Sequence, residues 1–339
     1  MTPDDVQGEP LTMRYERARV DELLEDEDLL AVLEFGTSPL GSGDPRHVPV
    51  ALEPLRETGR VETWRVRGPV ETGRLGDVRF ARGLDLTMGQ IALDVAAGGG
   101  IRAASRRAYE QLEAFLARSQ HPWPQKIWNY VPGINDGEGD GECYRQFCVG
   151  RAEALAAHYD DQPLMPAATA IGVDASEPAL QVYFLAGALP GLNVENPRQV
   201  NAWRYPRRYG PRSPLFSRGT IVDFGHRREF LISGTASVIG HETRHVDDVR
   251  RQTEESWRNV TSLLQEGRRL LGQPEEAAPD PALLKVYVRD PEDADTIAAT
   301  LERHVKPEVP RIFVRGDICR QDLLTEMDGV LSLGAPPAA

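Results

Sequence analysis

The chain has 339 residues, and its 52 acidic side chains outnumber the 39 basic ones to give a net charge of −13. That length argues for two domains or one large one, and 40% apolar with 27% charged residues is a globular mix rather than a disordered one. The acidic excess disfavours nucleic-acid and anionic-membrane partners, but a few arginines can still gather a small anionic substrate locally.

The N-terminus, MTPDDVQGEP, is polar and reads as frayed. It has neither the basic region nor the apolar run of a secretory signal. Glu25 to Asp28 form an acidic run between two Leu-Leu pairs and read as a solvated face. Residues 1–60 are taken as an N-terminal extension. No apolar stretch approaches the roughly 20 residues of a membrane span. Three cysteines, an odd and low number, fit a reducing compartment, so the expectation is a cytoplasmic protein.

From Val61 the chain falls into two similar halves, 61–190 and 191–333, before a tail at 334–339. VETWRVRG, DVRFARG and LTMGQIALDV in the first correspond to VNAWRYPRRYG, GTIVDFG and EFLISGTASVIG in the second. These read as strands rich in Val, Ile, Phe and Thr between Gly-containing turns. Each half continues with an amphipathic helix. One has Tyr109, Leu112, Phe115 and Leu116 on a single face; the other has Trp257, Val260, Leu263 and Leu264. A strand follows (KIWNYV or LKVYVRD), then a second helix, then closing strands. Both halves read ββ(β)αβαββ, an α+β layer with two helices on one face of a mixed sheet. GQPEEAAPDP (272–281) and GAPPAA read as a loop and a tail.

Several motifs invite chemistry. His241-Glu242-Thr243-Arg244-His245 matches the H-E-x-x-H zinc-protease pattern, but it follows a strand, precedes a helix start at Val246-Asp247-Asp248 and has no third ligand downstream, so it reads as a loop without metal. Gly98-Gly99-Gly100 lacks the lysine of a phosphate loop and reads as a connector. Cys143 and Cys148 are five apart, a poor metal spacing, and read as structural thiols. Trp203 to Arg218 carries five arginines, two tyrosines and three prolines. The prolines keep it out of a helix, and the arginine forks suit an anion site as well as a plain surface cluster. Glu326 follows an apolar pair in a strand. On a wet face it is ordinary; in a dry pocket its pKa would rise and it could donate a proton.

The half from Ile221 to Leu333 resembles the RidA/YjgF family through FLISGTAS, the DVRRQTEESWRNVTSLL helix, KVYVRD and CRQDLLTEMDGV. The first half does so more weakly. The ordered set WNYVPGIN, YRQFCVGRAEA, AWRYPRRYGPRSP, SGTASVIGHET and DICRQDLLTEMDG resembles the chorismatases, a family built from two RidA/YjgF-like (chorismate-mutase-like) halves that cleaves chorismate and releases pyruvate. The resemblance covers everything after roughly residue 60.

The resemblance implies a site. Its catalytic glutamate falls on Glu326, with Cys319 beside it in the closing motif. Its substrate-binding residues fall on Arg151, Tyr205 and Arg212, with Tyr144, Gly234 and Thr235 in the same motifs. Gly at 234 and Cys at 319 resemble the members that make 3-hydroxybenzoate, whereas members that hydrolyse chorismate to a dihydroxycyclohexadiene carboxylate tend to carry Ala at both. The resemblance calls for chorismate as a small-molecule substrate and for no metal, flavin or nicotinamide. RidA proteins are trimers, and two fused halves supply two of three units, which favours a monomer. An imine deaminase or ligand-binding module of RidA type, and distantly a zinc peptidase, are the readings from other classes.

Overall fold

The computed structural model describes residues 10–41, 43–56, 59–156, 165–224, 227–274 and 281–334. Most of the polar start, the centre of the 272–281 loop and residues 335–339 of the tail lie outside the described residues.

The N-terminal extension carries a sheet of its own. Leu11–Glu16 (β1), a single helical turn at Val20–Leu23 (α1), Leu29–Phe35 (β2), His47–Val50 (β3) and Val61–Val66 (β4) build four strands in the order β1-β4-β2-β3. The strand at Val61, grouped by sequence with the first repeat, pairs instead with these strands, Trp64 standing between Met13 of β1 and Ala31 of β2. β2 reads LLAVLEF, and its nearly continuous apolar run is buried on both faces.

The first half follows with Glu71–Leu75 (β5), Val78–Gly83 (β6), Leu86–Asp94 (β7), Ile101–Leu116 (α2), Trp123–Pro132 (β8), Cys143–Leu155 (α3), Ala167–Val173 (β9) and Ala179–Gly187 (β10). α2 and α3 lie together on one face of the sheet, burying Leu112, Phe115, Phe147 and Leu155 against it. They approach closely at Gly150, where a side chain would strike the carbonyl of Arg102. Gly100 caps α2 with its carbonyl accepting from Ala104, so the three glycines are a connector.

The start of the second half does not form the strand that its Trp-Arg pair suggested. Ala202–Arg204 and Arg207–Tyr209 are 3₁₀ turns in an irregular loop. Pro206, Pro211 and Pro214 remove the N–H groups a sheet ladder needs.

The second half comprises Leu192–Val194 (β11), Gly219–Asp223 (β12), Arg228–Ala236 (β13), a small hairpin Val238–Ile239 (β14) and Glu242–Thr243 (β15), Val249–Leu270 (α4), Pro281–Val288 (β16), Ala294–Leu301 (α5), Arg311–Arg315 (β17), Asp317–Ile318 (β18) and Thr325–Ser332 (β19). Its six strands run β11-β12-β13-β19-β16-β17, with α4 and α5 outside. β18 leaves this sheet and pairs with β9, tying the halves together through Asp317 and Gly172.

Each half is therefore an α+β layer whose outer face is covered by two helices. The inner faces of both sheets and the N-terminal sheet share one apolar core, to which Leu33 and Trp64, Trp128 and Tyr183, and Leu231 and Val330 contribute. Among the described residues no helix is long and apolar enough to cross a membrane.

Candidate active site

A cavity of about 620 Å³ opens where the two halves meet. Tyr144 and Arg151 reach it from α3, Tyr205 from the arginine-rich loop, Gly234 from β13, Cys319 from the turn after β18 and Glu326 from β19. Six of the eight residues named from sequence thus share one wall system. Arg212 does not join them: it is exposed on the loop and lies near Glu153. Thr235 also faces away, since alternation along a strand sends Gly234 and Ala236 into the cavity and Thr235 to the other side. Its hydroxyl donates to the Ser233 carbonyl at 2.8 Å.

Glu326 is 4% exposed. Burial, reinforced by the Asp328 carboxylate and opposed by Lys126, Arg218 and Arg320, pushes its carboxyl up to about 8, so it holds a proton at neutral pH. The backbone of Gly234 presses against it, and a Cβ there would overlap Oε1 of Glu326. Cys319 is likewise pushed up to about 12 by burial and by Glu326, which leaves a neutral thiol able to donate weakly.

The cations are arranged differently from the sequence expectation. Arg151 is 3% exposed, its guanidinium lies over the rings of Tyr109 and Phe147, and its Nε has no partner. Arg218 donates to the Val200 carbonyl at 2.9 Å and the Tyr205 hydroxyl at 2.8 Å, and its Nε too is unpartnered. Arg320 donates to the His241 carbonyl and stacks 4.2 Å above the Tyr209 ring. Among the described residues no carboxylate forms an ion pair with any of these three. Arg151 and Arg218 are buried without an ion pair, which is costly for a guanidinium, so this cavity favours an anion. Sequence reasoning singled out the segment holding Arg218 and the motif holding Arg320, but chose Arg212. The available signal was position: Arg218 abuts the apolar β12, where a side chain is forced inward, while Arg212 sits between prolines at the surface.

The histidines of HETRH belong to the β14–β15 hairpin and the turn after it, not to a helix. His241 meets Arg208 at 2.9 Å, and His245 lies 3.4 Å from Glu255. Among the described residues no group of three His, Cys, Asp or Glu side chains could hold a metal. Cys143 donates to the Pro132 carbonyl and Cys148 is buried, both part of the packing of α3.

Comparison with known proteins gives this geometry its family. Residues 62–186 match the family model described as Chorismatase FkbO/Hyg5-like, N-terminal. A chorismatase of Streptomyces rapamycinicus is 37% identical over 94% of this chain and 97% of its own. A 3-hydroxybenzoate synthase of Streptomyces hygroscopicus is 35% identical over 69% of this chain and 70% of its own. A crystal structure of a chorismatase superposes with a TM-score of 0.83 at 31% identity, covering 95% of this chain and 98% of that one. Matched by chorismatases in sequence and in structure over nearly its whole length, the chain belongs to the chorismatase family.

Proposed function

We propose that this protein cleaves the enolpyruvyl ether of chorismate to 3-hydroxybenzoate and pyruvate, with Glu326 as the acid. The observation that carries the reading is a buried carboxyl, Glu326, in a cavity where Arg151, Arg218 and Arg320 make no ion pair among the described residues. Chorismate is a dianion. Arg151, Arg218 and Arg320 offer forks for its two carboxylates, and Tyr144 and Tyr205 offer hydroxyl donors. Arg212, assigned to the clamp by resemblance alone, has no part in this reading.

Glu326 protonates the terminal methylene carbon of the enol ether and leaves an oxocarbenium at the ether carbon. The neighbouring ring hydroxyl then gives its proton back to the Glu326 carboxylate and attacks the ring carbon bearing the ether. The ether carbon–oxygen bond to the ring breaks, and pyruvate departs with that oxygen. The resulting epoxide opens and loses a ring proton to give 3-hydroxybenzoate. Substrate and products balance without water. In the alternative, hydrolytic course, water adds to the oxocarbenium carbon and the ring departs as the dihydrodiol.

Gly234 and Cys319 support the first course. The glycine gives the Glu326 carboxyl room to stand upright in the cavity, and the Cys319 thiol can steer the ring hydroxyl. The N-terminal sheet supports action as a monomer, because its Leu33, Val48 and Trp64 help fill the apolar core that the two halves share. Incubation with chorismate and chromatographic identification of the products tests the reading. 3-Hydroxybenzoate and pyruvate in equal amounts are expected; the dihydrodiol as main product would overturn the product assignment, and no consumption of chorismate would overturn the reaction.

A further inference from the structure

β13 and β19 lose register opposite Asp328. Pairing runs through Ile232 with Gly329 and resumes at Thr235 with Met327, leaving Ser233 and Gly234 against a single residue, a β-bulge. The freed groups turn to the other half. Gly234 N donates to Oγ1 of Thr169 at 3.0 Å, and Ala168 N donates to Oγ of Ser233 at 2.8 Å. Thr169 in turn donates to Oδ2 of Asp328 at 2.6 Å. The same oxygen accepts from Trp128 Nε1 at 3.0 Å, Tyr287 OH at 3.1 Å and Lys126 Nζ at 3.4 Å. Asp328 is 2% exposed, yet burial, which alone would raise it, is overcome by Lys126, Lys285 and these donors, so it stays charged. Two residues apart on β19, Asp328 and Glu326 project to the same face.

We propose that Asp328, anchored across the seam by Thr169, is a positioning residue whose fixed negative charge keeps Glu326 in its proton-carrying form. This rests on the reading of Glu326 as the acid. Glu326 faces Asp328 on its own strand, Lys126 on β8, Arg218 just before β12, and Cys319 with Arg320 in the loop before β19. Asp328 faces Lys126 and Trp128 on β8, Thr169 on β9, and Lys285 and Tyr287 on β16, with Tyr15, Tyr130 and Tyr183 farther along the same buried chain. The three cations favour loss of the Glu326 proton; burial and Asp328 oppose it. Asp328→Asn therefore lowers the pH at which the proton is lost. Lys126→Met removes a cation and acts in the opposite direction.

The test is the pH dependence of kcat/KM for pyruvate release from chorismate in the parent, Asp328→Asn and Lys126→Met, with Glu326→Gln alongside. The alkaline limb is expected to move down by about one pH unit in Asp328→Asn and up in Lys126→Met. A merely structural role would slow the variants without displacing their limbs in opposite directions. An unmoved limb in a folded Asp328→Asn overturns the proposal. Should that variant not fold, Lys126→Met decides: an upward shift supports the proposal, and an unmoved or lowered limb overturns it. The acid reading fails separately, by parent-like pyruvate release in Glu326→Gln.

Discussion

At two seams of the molecule a buried lysine meets a carboxylate from a neighbouring sheet. Between the halves, Lys126 of β8 lies 3.4 Å from Asp328 of β19; between the second half and the N-terminal sheet, Lys285 of β16 lies 3.0 Å from Glu62 of β4. Both lysines begin similar strand segments, KIWNYV and KVYVRD. Their surroundings differ. Glu62 also accepts from Trp64 Nε1 at 2.8 Å, and its pull overcomes the effect of burial to raise Lys285, whereas burial and the charge of Lys285 bring Lys126 down to about 8. At the second seam Lys285 packs over the rings of Phe35 and Trp128. The first is split by a bulge, lined with unpaired arginines and left open around a cavity. One pairing scheme thus serves closure at one seam and electrostatic tuning at the other. The feature that separates them is a glycine bulge opposite the carboxylate.

Four outcomes sharpen or break that contrast. The largest belongs to the working seam: Glu326→Gln should lower the rate of pyruvate release by at least ~10²–10⁴-fold, with the fold retained by circular dichroism. At the closing seam, Lys285→Met leaves Glu62 buried and unpaired. It should cost about 3–5 kcal/mol of stability in denaturant titration, with a fall in kcat per folded molecule far smaller than that of Glu326→Gln; a fall as large as that of Glu326→Gln would mean the seams do not differ in function. Arg218→Ala or Arg151→Ala should reduce kcat/KM by an amount equivalent to about 2–5 kcal/mol. Arg212→Ala, at the surface, should change it by less than about 0.5 kcal/mol. The reverse ranking would put Arg212 back in the clamp. Gly234→Ala with Cys319→Ala should push the Glu326 carboxyl aside and shift the product ratio toward the dihydrodiol while pyruvate release continues. An unchanged ratio by chromatography would leave the bulge without a role in product choice.

Much of this was legible in the sequence because local pattern and tertiary role agreed. The helix faces of Tyr109 to Leu116 and Trp257 to Leu264 are the buried faces, and LTMGQIALDV and ALQVYFLAG are strands because runs so apolar have only a sheet interior to occupy. Glu326, ambiguous on periodicity, was placed by the motif around it. Strand grouping was less legible: Val61–Val66 has the composition of any half-buried strand, and nothing local says that it pairs backward with Leu11–Glu16. Trp203-Arg204 imitates Trp64-Arg65 in letters, but three nearby prolines forbid the ladder. Arg212 and Arg218 look alike in a list of arginines, and only the burial of β12 distinguishes them. Asp328 carried no signal of its own, because its importance comes from Thr169, Trp128 and Lys126, all some 160 to 200 positions away.

The pH profile tests how the acid is tuned; the proton itself tests the central claim. Chorismate is converted in deuterium oxide by the parent and by Glu326→Gln, and pyruvate is reduced to lactate as it forms. With Glu326 protonating the methylene carbon, the parent's lactate carries one solvent deuterium in its methyl group, and Glu326→Gln releases almost none of this product over the same time. Pyruvate released without a methyl deuterium, or released by Glu326→Gln at the parent rate, would contradict the account.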